Sequence, residues 1–181
     1  MGQWLQGADA WLLLQVQEHL RTPILTEAMR FFTALGNWGL LWVAVSAALL
    51  LTKRYRRTGI VALCSLLLCF ILNDLILKLL VSRPRPFDAV PGLVSLISPP
   101  GTYSFPSGHT SSSFSAAFSY RRGLGKRGGL FFLPAFLMGF SRIYLGVHYF
   151  SDVLAGAALG LLAGQTVWLF ARRWFPEKAA V

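Results

Sequence analysis

A set of polar side chains falls where long apolar stretches of this sequence begin or end. The set comprises Lys78, Arg83, Arg85, Ser107, His109, Ser141, Arg142, His148 and Asp152. Ionisable residues at the ends of membrane helices are costly to keep, so several that converge on one face indicate a functional site. Cations predominate in the set, and this predominance suits an anionic ligand.

The most informative spacing is that of His148 and Asp152, which are four residues apart. On a helical turn the two side chains can face each other, and a carboxylate bonded to one ring nitrogen leaves the other nitrogen free and more nucleophilic. Arg142 adds a planar donor fork that suits phosphate oxygens. Taken alone, the histidine–acid pair is equally compatible with a structural hydrogen bond or with part of a metal site.

The Pro106-Ser107-Gly108-His109 segment fits a loop that turns into a helix. A helix start offers unpaired backbone N–H groups and a positive dipole end, and Gly108 lets the backbone approach a phosphate closely. Such a cradle would bring His109 beside the bound group. The alternative is a simple turn with Ser107 as a capping residue.

Two further cations, Lys78 and Arg85, lie seven positions apart at the end of an apolar stretch. Pro84 ends the regular helix between them, and we expect both side chains to reach the opening of the same site. Interfacial snorkelling of long basic side chains is the alternative explanation. Arg83 belongs to the same run and could serve either role.

Metal-dependent hydrolysis is disfavoured by the composition of this face. Hydrolytic metal sites need several histidine or carboxylate ligands, and the face offers His109, His148, Asp152 and at most Asp88 among several fixed cations. The residues therefore predict phosphoryl chemistry with no metal and no cofactor.

The elements that must position these residues are membrane helices. The 181-residue chain is 55% hydrophobic with a mean hydropathy of +0.55, more apolar than an ordinary soluble domain. Its apolar runs approach the length of about twenty residues that a bilayer span needs. The predicted spans are Trp38 to Thr52, Thr58 to Leu80, Gly108 to Tyr120, Leu130 to Leu145 and Asp152 to Trp174.

We therefore predict an all-α, polytopic membrane helix bundle that forms one domain over residues 1–181. Five transmembrane helices occupy residues 38–174, or six if the N-terminal segment contributes one. Residues 1–37 mix tryptophan, leucine and phenylalanine with several charges, which is typical of amphipathic helices in the membrane interface. Gly156, Gly160 and Gly164 predict close helix packing within the bundle, with homodimerisation as the alternative.

The formal charge of +10 is distributed in a way that indicates membrane topology and not nucleic-acid binding. The basic clusters are Lys53, Arg54, Arg56 and Arg57; Arg121, Arg122, Lys126 and Arg127; and Arg172, Arg173 and Lys178. They follow the first, third and fifth spans, so alternation of the spans brings them to one face. The positive-inside rule makes that face cytoplasmic and the face with the polar set extracytoplasmic.

Three segments together resemble the type 2 phosphatidic acid phosphatase superfamily of membrane lipid phosphatases, whose active-site pattern is shared with vanadium haloperoxidases. The first is Lys78, six residues and Arg85-Pro86. The second is Pro106-Ser107-Gly108-His109, and the third runs from Ser141-Arg142 through His148 to Asp152. Their order, spacing and position relative to the predicted helices agree with that family over roughly residues 58–172.

The resemblance implies a role for each matching residue. His148 would attack phosphorus, Asp152 would orient it, and His109 would protonate the leaving oxygen. The residues implied to hold the phosphoryl oxygens are Lys78, Arg85, Ser107, Gly108 and Arg142.

The same resemblance implies a bacterial cytoplasmic-membrane enzyme that hydrolyses a lipid phosphate. The short chain favours a small bacterial enzyme. Undecaprenyl diphosphate, phosphatidylglycerophosphate and phosphatidic acid are the candidate substrates, and the polyprenyl diphosphate is preferred among them. A lipid phosphotransferase that uses the same site is one alternative. A catalytically silent lipid-binding or transport protein is another.

Overall fold

Helices account for most of the chain in the computed structural model, which describes residues 3–174. Along the sequence they are α1 (Gln3–Leu20), α2 (Pro23–Leu35), α3 (Leu40–Leu50), α4 (Arg56–Phe70), α5 (Lys78–Val81), α6 (Pro86–Ala89), α7 (Gly108–Gly123), α8 (Phe132–Tyr144) and α9 (Phe150–Trp174). The all-α class predicted from the apolar runs is confirmed. Residues 1, 2 and 175–181, including Lys178 of the third basic cluster, lie outside the described residues.

The helix α7 occupies the centre of the bundle and packs against α4, α8 and α9. It is rich in serine, and Ser113, Ser115 and Ser119 are fully buried. A serine hydroxyl can satisfy itself inside a helix by donating to a carbonyl oxygen of the preceding turn. Ser113 and Ser119 do so at 2.6 and 2.9 Å, to His109 and Ser115. These hydroxyls are thus satisfied within the helix, and a serine-rich helix can therefore lie at the centre of the bundle.

The glycine stripe of α9 packs inside the bundle. A Cβ built on Gly156 would meet the carbonyl oxygen of Ser107 at 2.6 Å, and one on Gly160 would meet that of Ser111 at 2.3 Å. Because both obstacles are backbone atoms, one in the residue before α7 and one in its first turn, larger residues would force the two helices apart. The stripe thus brings α9, which begins with the Asp152 turn, against the start of α7.

A π-helical segment, Ile71–Leu77, joins α4 to α5. Such a segment adds a residue to the helical turn, and π-bulges are frequent at functional sites. It contains Asp74 and leads directly into Lys78. The distortion therefore falls at the level of the polar set.

The N-terminal helices pack on the bundle at the same level. α1 contacts α8 and α9, and it buries both Leu13 and the carboxylate of Asp9. α2 contacts α8 and is followed by a short 3₁₀ turn, Asn37–Gly39, which leads into α3. The location of residues 1–37 in a membrane interface stays a prediction.

Within residues 3–174, two helical stretches are long and apolar enough to cross a membrane: Arg56–Ala89 and Phe150–Arg173. A third span results if Pro23–Leu35 and Asn37–Leu50, bent by 49°, are taken together. The helices α7 and α8, with 16 and 13 residues, are shorter than a full span. The count of five or six spans therefore stays a prediction.

The basic clusters lie together at one end of the bundle. The guanidinium of Arg57 lies 5.2 Å from the ring centroid of Trp168, and Arg122 donates to Gln165 at 3.2 Å. These contacts join the start of α4, the end of α7 and the last turns of α9. Which side of the membrane this end faces stays a prediction.

Candidate active site

A cavity of about 630 Å³ lies at the opposite end of the bundle, where α2, α4, α5, α7 and α8 converge. Of the predicted site residues, it is lined by Lys78, Arg85, Gly108, His109, Arg142 and His148. Ser107 and Asp152 are fully buried behind its wall. Residues that lie seventy positions apart in the sequence therefore share one chamber.

His148 lies in the loop between α8 and α9 and is 2% exposed. Its Nε2 atom is 3.0 Å from Nη1 of Arg85. Its Nδ1 atom faces Oδ2 of Asp152 at 3.5 Å, longer than an ordinary hydrogen bond. The carboxylate and the guanidinium thus bracket the imidazole ring on its two nitrogens.

These contacts determine the tautomer of the imidazole. Burial lowers the pKa of His148 to about 3, so the ring is neutral at physiological pH. An arginine N–H can only donate, and Nε2 must therefore accept from Arg85. The proton of the neutral ring is then on Nδ1, facing Asp152, and the Nε2 lone pair belongs to the atom on the Arg85 side.

Arg85 is held by a full set of acceptors. Its Nε donates to the carbonyl oxygen of Thr102 at 2.8 Å, and Nη2 donates to the hydroxyl of the same residue at 3.1 Å. Nη1 donates to the carbonyl oxygen of Val147 at 2.7 Å. An arginine guanidinium stays protonated in proteins, so the side chain is cationic at neutral pH. The fork is therefore a fixed positive charge beside the imidazole.

The Asp152 carboxylate accepts hydrogen bonds from three donors. Oδ2 accepts from the Ser104 hydroxyl at 2.5 Å and from the Tyr149 backbone N–H at 2.9 Å. Oδ1 accepts from Nη1 of Arg83 at 2.6 Å. Arg83, which the sequence left between two roles, thus lies behind the histidine and contacts the carboxylate.

Arg142 and His109 approach the cavity from its other side. Nη1 of Arg142 donates to the hydroxyl of Thr33 at 2.5 Å, whereas its buried Nε has no hydrogen-bond partner within residues 3–174. Nε2 of His109 lies 3.1 Å from Oδ1 of Asn37. A buried guanidinium N–H without a partner is costly. An anion in the cavity would be a suitable acceptor for it.

The cavity also holds one carboxylate that the sequence analysis missed. Asp74 Oδ1 accepts from Nζ of Lys78 at 2.6 Å, and this side chain is 31% exposed. Nζ also reaches the Thr102 hydroxyl at 3.4 Å. Lys78 therefore forms an ion pair with Asp74 and also lines the cavity.

The start of α7 forms one wall. The N–H of Ser107 donates to the carbonyl oxygen of Asp152 at 3.1 Å, and its hydroxyl accepts from Thr110 at 2.9 Å. Both groups thus already have partners that tie α7 to α9. The helix begins at Gly108, so the N–H groups of its first turn, which lines the cavity, lack intrahelical partners.

Ser141, from the polar set, and Asp88, the further carboxylate considered for a metal site, do not line this cavity. Ser141 is buried and donates to the carbonyl oxygen of Met138 at 2.7 Å. Asp88 lines a neighbouring cavity. Across the described part of the chain, no group of three or more His, Cys, Asp or Glu side chains is placed to hold a metal ion. Metal-free chemistry stays a prediction.

Thr33, Asn37, Thr102 and Ser104 were not anticipated by the sequence analysis. Each is a small polar residue in a loop or on a helix outside the recognised motifs. The contacts join residues 17–109 positions apart. No local spacing could have indicated them.

The protein-family comparison matches residues 58–176 to the model described as the PAP2 superfamily. An undecaprenyl-diphosphatase of Sulfolobus acidocaldarius is 34% identical over 120 residues, which cover 66% of this chain and 58% of that protein. A decaprenylphosphoryl-5-phosphoribose phosphatase of Mycobacterium tuberculosis is 38% identical over 129 residues, or 71% of this chain and 70% of that one. The chain thus spans less than two thirds of the archaeal relative.

Among solved structures, a transmembrane PAP2-type phosphatidylglycerolphosphate phosphatase of Bacillus subtilis superposes with a TM-score of 0.78 and 27% sequence identity. The superposition covers 98% of this chain and 90% of that one. It therefore includes the N-terminal helices, which lie outside the family match.

Proposed function

Because the chain belongs to the PAP2 superfamily, we propose that it is an integral-membrane lipid phosphatase that works through a phosphohistidine on His148. The observation that carries this proposal is the state of that side chain. The ring is buried and neutral, its proton is directed to Asp152, and its Nε2 lone pair is on the side of Arg85. A neutral, oriented imidazole is what a nucleophilic histidine requires.

The first step transfers the phosphoryl group from the lipid to the protein. The Nε2 lone pair of His148 forms the P–N bond while the bond from phosphorus to the lipid oxygen breaks. His109 gives a proton to that oxygen. The positive charge that develops on the imidazole is stabilised by Asp152 through the Nδ1 proton.

The second step reverses the roles. A water molecule attacks phosphorus, His109 accepts its proton, and the P–N electron pair returns to His148 as inorganic phosphate leaves. Throughout, Lys78, Arg85 and Arg142 neutralise the equatorial oxygens, which is the main catalytic need in phosphoryl transfer. The N–H groups at the start of α7, near Gly108, add uncharged donors. No step requires a metal.

The substrate we propose is a polyprenyl diphosphate, with phosphatidylglycerophosphate and phosphatidic acid as the other candidates. Two relatives are named for polyprenyl phosphates. The cavity also extends from its cationic end along Val43, Leu66 and Phe70. An apolar lining of this kind suits the first carbons of a lipid chain.

The proposal is tested with full-length purified protein in detergent and chelator, incubated with undecaprenyl diphosphate, phosphatidylglycerophosphate or phosphatidic acid. Inorganic phosphate should be released from at least one lipid, fastest from the diphosphate. His148→Ala should abolish release and retain lipid binding. His19→Ala is the matched control, because His19 is exposed on α1 and should leave release unchanged.

The intermediate is tested separately with lipid that carries ³²P in the scissile phosphate. Alkaline quenching should trap acid-labile label on the wild type and on His19→Ala but not on His148→Ala. Metal-dependent release, or full activity of His148→Ala, would contradict the mechanism. A doubly modified lipid without free phosphate would identify a phosphotransferase, and lipid binding without any product would identify a silent binding protein.

A further inference from the structure

Helix α1, which precedes the residues matched to the family, buries the carboxylate of Asp9 behind the candidate site. Asp9 is 2% exposed. Its Oδ1 accepts from the backbone N–H of Ser151 at 3.0 Å, and its Oδ2 accepts from Nη2 of Arg83 at 2.8 Å and from the Ser151 hydroxyl. A buried carboxylate is costly unless it is paired, and here every partner belongs to the vicinity of Asp152.

Arg83 connects the two carboxylates. One arm of its guanidinium donates to Asp9, and the other donates to Oδ1 of Asp152 at 2.6 Å and to Ser151 at 2.8 Å. Its face lies on the ring of Tyr149, 3.7 Å from the centroid. The three charged side chains form a buried ion triad, Asp9–Arg83–Asp152, in which every charge is at most 7% exposed.

The net charge of this triad affects how well a positive charge on His148 is stabilised. Two carboxylates and one guanidinium leave one net negative charge behind His148. Without Asp9, the full charge of Arg83 would act on Asp152 alone and the pair would be neutral overall. Such a pair would stabilise a positive charge on the imidazole less well, because buried charges are weakly screened.

Asp9 also fixes the position of the backbone next to Asp152. By accepting from both the N–H and the hydroxyl of Ser151, it fixes the residue that directly precedes Asp152 in the first turn of α9. The Asp152 carboxylate is held from the front by Ser104 and from behind by Arg83. Loss of the rear support would let the carboxylate rotate away from the imidazole.

We propose that Asp9 is a positioning residue for the phosphohistidine chemistry: through Arg83 and Ser151 it orients Asp152 and keeps the buried ion triad negative. This inference rests on the function proposed above. Asp9 does not contact the cavity, so its loss should slow turnover and leave substrate binding little changed.

The test is Asp9→Asn in the full chain, a change of charge with almost no change of shape. We expect kcat for phosphate release to fall about tenfold to a hundredfold, as for other small misplacements of catalytic groups, while KM stays within about threefold. The matched control is Gln17→Ala on the same helix. Gln17 docks α1 through Gly92 and Val94 and touches no member of the triad.

The control separates positioning from docking. Both substitutions should lower the thermal midpoint, but Gln17→Ala should retain kcat within about twofold. If Asp9→Asn lowers kcat no more than Gln17→Ala does, the inference is wrong. Wild-type protein that releases no phosphate from any lipid would instead overturn the proposed function.

A second measurement asks whether Asp9 acts through Asp152. In an Asp152→Asn background, adding Asp9→Asn should change the residual kcat by less than about twofold, because coupled residues are not additive. The full effect of Asp9→Asn in that background would overturn the inference. Should Asp9→Asn fail to fold, Ser151→Ala replaces it, because it removes the hydroxyl that donates to Asp9 and accepts from Arg83. At about 1 kcal/mol for each of these two hydrogen bonds, kcat should fall about fivefold to thirtyfold. An unchanged kcat there would also overturn the inference.

Discussion

Replacement of Arg85 by lysine tests the claim that the geometry of this cation matters as much as its charge. The guanidinium makes contacts with Thr102, Val147 and His148 through three different nitrogen atoms. A lysine keeps the positive charge but offers one nitrogen, so roughly two or three of these contacts are lost. The carbonyl oxygen of the fully buried Val147 would also lose its side-chain donor.

The expected cost follows from those contacts. Each lost hydrogen bond from this charged donor contributes about 1–1.5 kcal/mol. A total on the order of 2–4 kcal/mol corresponds to a decrease in kcat/KM of about 30-fold to 1000-fold. Because charge is retained, this figure isolates the contribution of the planar fork.

The assay is phosphate release under subsaturating lipid, corrected for folded protein. Arg21→Lys provides the control, since Arg21 also donates to backbone carbonyls, of Val94 and Tyr144, yet does not line the cavity. It should lower stability and leave kcat/KM within about threefold. If Arg85→Lys retains more than a third of the wild-type kcat/KM, or if Arg21→Lys loses as much, the planar fork of Arg85 does not have the role assigned to it.

Three further predictions concern the charges of the cavity, the protonation of His148 and the orientation of the bundle. Asp74→Asn removes the carboxylate 2.6 Å from Lys78, so inorganic phosphate should inhibit about threefold to fivefold more tightly; an unchanged inhibition constant contradicts this. The pKa of His148 lies at about 3, below its ordinary value of 6.5, so between these values the unfolded chain binds the extra proton and stability falls as pH falls. From pH 7 to pH 5 the wild type should lose about 2 kcal/mol more than His148→Gln, seen as a larger drop in thermal midpoint; equal drops would show that the folded ring titrates normally. A reporter fused after Val181 should be cytoplasmic, and an external C-terminus would invert the assigned face.

Local patterns in the sequence predicted most of the helices, and six of the eight predicted site residues line the cavity. The span predicted for Thr58 to Leu80 corresponds to the helical stretch of α4 and α5, and that for Gly108 to Tyr120 corresponds to α7. Helix ends at one level of a bundle converge, and His109 and His148 accordingly line the same cavity. His148 and Asp152 face each other at 3.5 Å, but His148 lies in the loop before α9 and not on the helical turn that the spacing of four residues allowed.

The supporting layer could not be predicted, because its members interact over long separations. In the sequence, Asp9 is one of several charges in the amphipathic N-terminal segment, and nothing near it indicates a partner. In the structure it is buried against Arg83, 74 positions away. Hydrophobic periodicity predicts which face of a helix is buried, but it does not predict which distant residue a polar side chain on that face will contact. Thr33 is a further example, since only its proximity to Arg142 gives it a role.

The arrangement of charge on the two sides of His148 would let one histidine both accept and release a phosphoryl group, as the proposed mechanism requires. On the cavity side, Lys78, Arg85 and Arg142 would attract a phosphate, and Arg85 donates to Nε2, the proposed nucleophile. A bound phosphate oxygen would compete for that N–H and so uncover the lone pair only when substrate is present. On the far side, the buried ion triad carries one net negative charge, which would stabilise the positive charge of a phosphorylated imidazole ring. Cations alone would bind phosphate and disfavour an imidazolium, and the negative layer behind the ring offsets that penalty.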